Sequence, residues 1–344
     1  MSTPPIRPRA ASPYAVLRSG HQSMLSRTAD HLFWMTRYME RADNTARMLD
    51  INLQTSLLPQ EPEARQRSWR AVLRISELQS AFDAAHPDGT PSDVLHFMVR
   101  DPNNPSSIYS CLRAARENAR AVRGSLTTEV WETYNLTWLE LSNHLQSRLP
   151  ERNPTEFFEW VKLRAQLTRG VSIDTMIEDE ALYFLRLGLY LERADNTARL
   201  LDVKFHERDG DAPKEKDAGK QDPVSEFYHW SAVLSSVSGL EIYRKVYSDV
   251  ITPERVAELL ILRDDMPRSL LTSVRVVSEV LSRVSNQRSG ETERRAGMLR
   301  AELEYGLIQD ILRGGMHSYL DRFLGRINDL GNRIAQDFLV PLST

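Results

Sequence analysis

Tyr38-Met-Glu-Arg-Ala-Asp-Asn-Thr-Ala-Arg-Met-Leu-Asp50 recurs as Tyr190-Leu-Glu-Arg-Ala-Asp-Asn-Thr-Ala-Arg-Leu-Leu-Asp202, and only two apolar exchanges, Met39/Leu191 and Met48/Leu200, separate the copies. Two weaker echoes follow in the same order. Trp69-Arg-Ala-Val-Leu73 is answered by Trp230-Ser-Ala-Val-Leu234, and Asn104-Pro-Ser-Ser107 by Met266-Pro-Arg-Ser269. A chance match would not keep that order, so the chain reads as a tandem duplication.

Each copy then holds a long helix with the repeated octet, a loop, a Trp-anchored helix, a helix opening on proline and a closing helical stretch. Proline suits a first turn, where its missing N–H has no partner to lose. Apolar residues recur at three- and four-residue spacings, as in Leu299, Leu303, Leu307, Ile308, Ile311 and Leu312, and alternation at period two is rare. The expected fold is all-α, a duplicated antiparallel helical bundle of about ten helices with pseudo-twofold symmetry. Residues 24–170 form the first repeat and 171–344 the second, packed as one globular unit. Residues 1–23, with Pro4, Pro5, Pro8 and Pro13, are expected to be a disordered N-terminal extension, and the Gly/Pro-punctuated, charged stretch 207–223 a flexible loop.

A helical wheel puts Met35, Met39, Ala42, Ala46 and Leu49 on one side of the first octet helix and Arg37, Glu40, Asp43, Asn44 and Arg47 on the other. In the second copy Leu187, Leu191, Ala194, Ala198 and Leu201 oppose Leu189, Glu192, Asp195, Asn196 and Arg199. A solvated face would have drifted with the rest of the repeat, so the retained stripe is constrained. One source is structural: the stripes meet and neutralise each other, Glu40 with Arg199 and Glu192 with Arg47, as a buried network that is costly to break. The other is functional: the stripes line a cleft, with arginine forks for a carboxylate or phosphate and Glu, Asp and Asn for an amine or peptide.

Composition narrows the function. A formal charge of −3, from 44 basic and 47 acidic side chains, lacks the cationic surplus that binding to bulk nucleic acid or an anionic membrane requires. No apolar run is long enough to span a bilayer and no secretory leader is evident, so a cytoplasmic location is expected. A single cysteine, Cys111, fits that compartment. A di-iron bundle needs Glu-x-x-His on two facing helices, and the stripe does not supply it, since Asp43 stands three residues after Glu40. Phosphate-cradling, dinucleotide, zinc-protease and nucleophile-elbow motifs are missing, so no metal and no cofactor is expected. His31 and the tryptophans Trp69, Trp131, Trp138, Trp160 and Trp230 sit at helical spacing and read as core or boundary residues.

The string Met24-Leu-Ser-Arg-Thr-Ala-Asp-His-Leu-Phe-Trp-Met-Thr-Arg-Tyr-Met-Glu-Arg-Ala-Asp-Asn-Thr-Ala-Arg47 resembles the opening signature of the bacterial alpha-E family, a domain of unknown function, and the resemblance runs from Met24 to Phe338. It departs from that pattern at Thr36, where a glycine often precedes Arg-Tyr, while the second copy keeps Gly188 but has Leu189 for the arginine. The resemblance implies association with a circularly permuted ATP-grasp protein, commonly near a transglutaminase-like peptidase, in ATP-dependent amide-bond formation or peptide modification. On that basis the chain is expected to be an accessory or substrate-binding subunit with a peptide substrate. The alternative is an enzyme acting on peptides or amino acids, with Glu40 or Glu192 as general base beside Arg47 or Arg199.

Overall fold

The two octet helices lie side by side at the centre of the molecule. They are α1 (Ser26–Ser56) and α9 (Glu180–Gly210), 31 residues each. Between them run α2 (Pro62–Ile75), α3 (Gln79–Ala85), α4 (Pro91–Val99), α5 (Ile108–Ala121), α6 (Thr128–Gln146), α7 (Leu149–Arg152) and α8 (Pro154–Thr175). After α9 come α10 (Pro223–Ser236), α11 (Leu240–Tyr247), α12 (Pro253–Ile261), α13 (Leu270–Arg283), α14 (Gly290–Glu304), α15 (Ile308–Gly314) and α16 (Met316–Phe338). This is a computed structural model that describes residues 24–56, 62–210 and 223–339, and those residues contain no strand. The expected N-terminal extension, 1–23, lies outside the described residues.

The all-α class is observed, with sixteen helices among the described residues rather than about ten. The additional elements are short. Helices such as α3, α7, α11 and α15 have eight residues or fewer, too little for an apolar period to repeat, and packing against larger helices stabilises them. Contacts between α1 and α9 advance in step along both, Met24 with Glu180, Thr36 with Leu185 and Glu40 with Arg193, so the two central helices run in the same direction rather than antiparallel. The seven helices between them allow the return. The boundary expected at 170/171 falls inside α8, and the chain turns at residues 176–179. Residues 207–210 of the expected loop continue α9, Pro223 opens α10, and 211–222 lie outside the described residues.

Caps explain where the helices begin. Thr90 and Thr252 cap α4 and α12, each followed by proline, and accept the backbone N–H of Asp93 and Arg255. Ser107 and Ser269 cap α5 and α13 through Ser110 and Thr272. Pro105 and Pro267 therefore stand two residues before the capping serine rather than at the first helical position.

The central helices are covered on nearly every side. α1 packs on α5, α8 and α10, and α9 packs on α13, α16 and α2. Met35, Ala42, Ala46 and Leu49 on α1, and Leu187, Ala194, Ala198 and Leu201 on α9, are fully excluded from solvent. The alanines permit close helix approach, and at one point even a methyl group is too large. A Cβ on Gly188 would lie 2.1 Å from the carbonyl oxygen of Phe33. Opposite it, the Thr36 hydroxyl donates to the Leu185 carbonyl at 2.8 Å, so the threonine in place of the usual glycine ties the helices together. Trp69 and Trp230 are buried, Trp131, Trp138 and Trp160 half-buried, and His31 sits at the boundary with Nδ1 2.8 Å from Asn118 Oδ1.

Cys111 on α5 belongs to this core, and burial pushes its thiol up to about 12. The thiolate is the reactive form. A disulfide-exchange reagent should therefore label the native chain only as fast as the chain opens, and the rate should rise through the unfolding transition; rapid labelling of folded protein would place Cys111 at the surface.

Candidate functional site

Burial of a helix carrying Glu40, Asp43, Asn44 and Arg47 forces each of those groups to find a partner within the protein. The octet supplies one set by exchange. Arg193 of α9 grips Glu40 side-on, Nε to Oε1 at 2.8 Å and Nη2 to Oε2 at 3.2 Å. Arg41 of α1 grips Glu192 in the same way, Nε to Oε1 at 2.6 Å and Nη2 to Oε2 at 3.0 Å. Each Glu-Arg dipeptide thus gives its acid to the arginine of the other. The expected partners, Arg199 for Glu40 and Arg47 for Glu192, are elsewhere. Arg47 holds Asp43 at 2.9 Å and Ser238 at 2.6 Å, while Arg199 holds Asp195 at 2.8 and 3.0 Å and also pairs with Glu77.

The two halves of the site differ in charge. Around Glu192 stand Arg41 and Arg37, the latter at 2.8 Å, both partly open to water. Around Glu40 the protein adds Arg169 from α8, at 2.9 Å, and Arg268 from the segment before α13, at 3.0 Å. Asp43 shares both, with Arg268 at 2.7 Å and Arg169 at 3.3 Å, and Arg268 also donates to Asn44 Oδ1 at 2.9 Å. Glu40 and Asp43 are 0% exposed, and among the described residues they are the only carboxylates ion-paired with Arg47, Arg169, Arg193 and Arg268. The cluster therefore carries more guanidinium than carboxylate charge. Asn196 is half-buried with no side-chain partner among the described residues.

The proton equilibria follow. Burial alone would raise the Glu40 carboxyl, but Arg193, Arg268 and Arg169 more than reverse it and hold the group far below the usual carboxylate range. Glu192 moves the same way, with Arg41 and Arg37 overcoming its desolvation. Burial lowers Arg268 to about 10, and the neighbouring Arg193 and Arg47 add to that effect against Glu40 and Asp43. Burial raises Asp195 despite its bonds to Arg199.

A pocket of about 560 Å³ opens beside the Glu40 half, between α1, α6, α8 and α9. Arg169 and Arg193 line it, and behind them lies Glu40, which does not. A general base must be reachable and ready to take a proton near neutral pH. Glu40 is sealed and firmly ionised, and Glu192 is ion-paired outside this pocket, so neither carboxylate meets that requirement at a pocket whose lining includes Arg169 and Arg193. Among the described residues no three His, Cys, Asp or Glu side chains are grouped to hold a metal ion. Glu226 and His229 have the Glu-x-x-His spacing, on α10 alone. No helix of the described residues is long and apolar enough to cross a membrane.

The sequence reading missed Arg41, Arg193, Arg169 and Arg268. The first two lie inside the repeated octet, and that repetition was the available signal. Arg268 stands where the first copy has Ser106, so a difference between the copies marked it. Arg169 carried no signal of its own.

A parallel pair of buried helices locked by exchanged Glu–Arg pairs inside an all-α shell defines the class of protein. The chain belongs to the Alpha-E family, described as a predicted alpha-helical domain with a conserved ER motif, whose model matches residues 24–339. Glu40-Arg41 and Glu192-Arg193 are the two occurrences of that dipeptide that the fold brings together. The chain is also similar to uncharacterized proteins of Mycobacterium bovis and Mycobacterium tuberculosis, 23% identical over 268 residues, covering 71% of this chain and 28% of each relative. It thus spans little more than a quarter of the length of those relatives. No solved structure gives a significant match.

Proposed function

We propose that the chain is a substrate-binding or complex-organising subunit of an ATP-dependent peptide-modification or amide-ligase system, working beside a circularly permuted ATP-grasp protein that supplies the nucleotide chemistry. The observation that carries this reading is the pocket whose inner wall is made by Arg169 and Arg193, themselves fixed by the buried Glu40. A preformed pocket with anchored cations binds an anionic ligand without reorganising. The rival reading, an enzyme with Glu40 or Glu192 as base, is opposed by the downward shift of both carboxyls. In the mycobacterial relatives the matched region is joined to much more chain, in keeping with a module that acts together with others.

The same reading includes a tandem duplication with pseudo-twofold symmetry, supported by the ordered echoes, by the matched caps of α5 and α13, and by the parallel sets of contacts that α1 and α9 make. A cytoplasmic setting agrees with the unpaired Cys111 and with ATP as co-substrate. Purification of the tagged chain from cells that encode it tests the partnership. An ATP-grasp protein should be recovered with it at stoichiometric yield, and repeated recovery of the chain alone would overturn the proposal.

A further inference from the structure

The pocket beside Glu40 has more cation than its neighbours balance. Arg186 lines it, half-buried, with no ion pair or hydrogen bond among the described residues. Arg169 spends a single nitrogen, Nη1, on both Glu40 and Asp43, leaving its other donors uncommitted among the described residues. The acidic lining residue, Glu178, is exposed and sits 3.8 Å from Arg283. Guanidinium groups partly out of water beside an already cationic cluster are costly unless an anion completes them.

The remaining lining is of a different kind. Met39, Leu182, Leu185 and Leu189 provide hydrocarbon, with Ile173 from the last turn of α8 and Met176 from the turn that follows it. The Ser172 hydroxyl gives its proton to the Thr168 carbonyl, so its oxygen can still accept, whereas the Thr168 hydroxyl gives its proton to the Ala165 carbonyl and is already engaged by Tyr134. An inorganic anion would use the arginines and waste the hydrocarbon, and an uncharged apolar ligand would do the reverse. A carboxylate attached to an apolar side chain uses both, and a peptide end adds a backbone N–H that the Ser172 oxygen can receive.

We propose that this pocket binds the C-terminal residue of a peptide, with its carboxylate on Arg169 and Arg186 and its apolar side chain against Met39, Leu182, Leu185 and Leu189. This names the substrate class for the binding role proposed above and rests on that reading. A free amino acid has the same carboxylate, but its ammonium group enters an arginine-lined space and is repelled.

Calorimetric titration of the full chain tests the assignment with acetyl-Ala-Leu as free acid, the same dipeptide as its C-terminal amide, leucine and inorganic phosphate. The free acid is expected to bind at least about tenfold more tightly than the amide, leucine or phosphate. Arg186→Met is expected to weaken the free acid by about tenfold or more with an unchanged melting temperature, because Arg186 supports no part of the buried network. Arg186→Lys should recover part of the loss. Equal binding of acid and amide, preference for phosphate or leucine, wild-type affinity in Arg186→Met, or no binding of the free acid would each overturn the proposal. The titration needs no partner protein, so its failure is distinguishable from a failure to recover an ATP-grasp protein.

Discussion

Glu40→Gln should lower the free energy of unfolding by about 3–5 kcal/mol, measured by urea denaturation. Glu40 accepts from Arg193, Arg268 and Arg169 together, and it has no exposed surface. The amide keeps the shape but removes the charge, leaving Asp43 as the one carboxylate among four arginines. Glu192→Gln should cost less, because Arg37 and Arg41 keep 17% and 28% of their side-chain surface in water and can turn toward it. The pH dependence has a definite sign. Both carboxyls are shifted downward in the fold, so their contribution is complete above the ordinary glutamate value of about 4.3 and is lost as pH falls below it. Acid should therefore destabilise the wild type more steeply than Glu40→Gln, and parallel acid profiles would contradict the assignment.

Gly188→Ala should cost about 3 kcal/mol, even though alanine is the better helix former by about 1 kcal/mol. The new methyl would meet the Phe33 carbonyl oxygen at 2.1 Å, its carbon at 2.9 Å and the Thr36 hydroxyl at 2.5 Å. Two of those atoms are backbone within α1, so relief requires the central helices to separate, and separation stretches both Glu–Arg exchanges. Gly170→Ala on α8 is the control. Nothing lies within 4 Å of its Cβ, so it should stabilise by roughly 0.5–1 kcal/mol through helix propensity. Gly188→Ala at wild-type stability would mean that α1 and α9 do not approach as described.

The all-helical class was legible because long amphipathic segments announce themselves by period, and the central helices were legible because the octet occurs twice. The direction of the octet helices was not, since two helices separated by seven others can close either way and no local rule selects the sense. The site was half legible. A wheel divides a helix into one buried and one open side, whereas α1 is enclosed by α5, α8, α9 and α10 and buries Glu40 and Asp43 along with Ala42 and Ala46. Arg41 and Arg193 are not part of the polar side that the wheel defines, so the partner expected for Glu40 is Arg199, six residues beyond the Arg193 that holds it. Arg169 and Arg268 come from α8 and from the approach to α13, and only the tertiary fold places them beside Glu40. Their addition to one half of an otherwise matched pair is what creates the unbalanced charge.

The exchange of partners between the two Glu-Arg dipeptides is tested most directly by double-mutant cycles on stability. The cycle of Glu40→Gln with Arg193→Met should give a coupling energy of about 2 kcal/mol or more, and the cycle of Glu40→Gln with Arg199→Met should be additive to within about 0.5 kcal/mol. Additivity in the first cycle, or strong coupling in the second, would contradict the account.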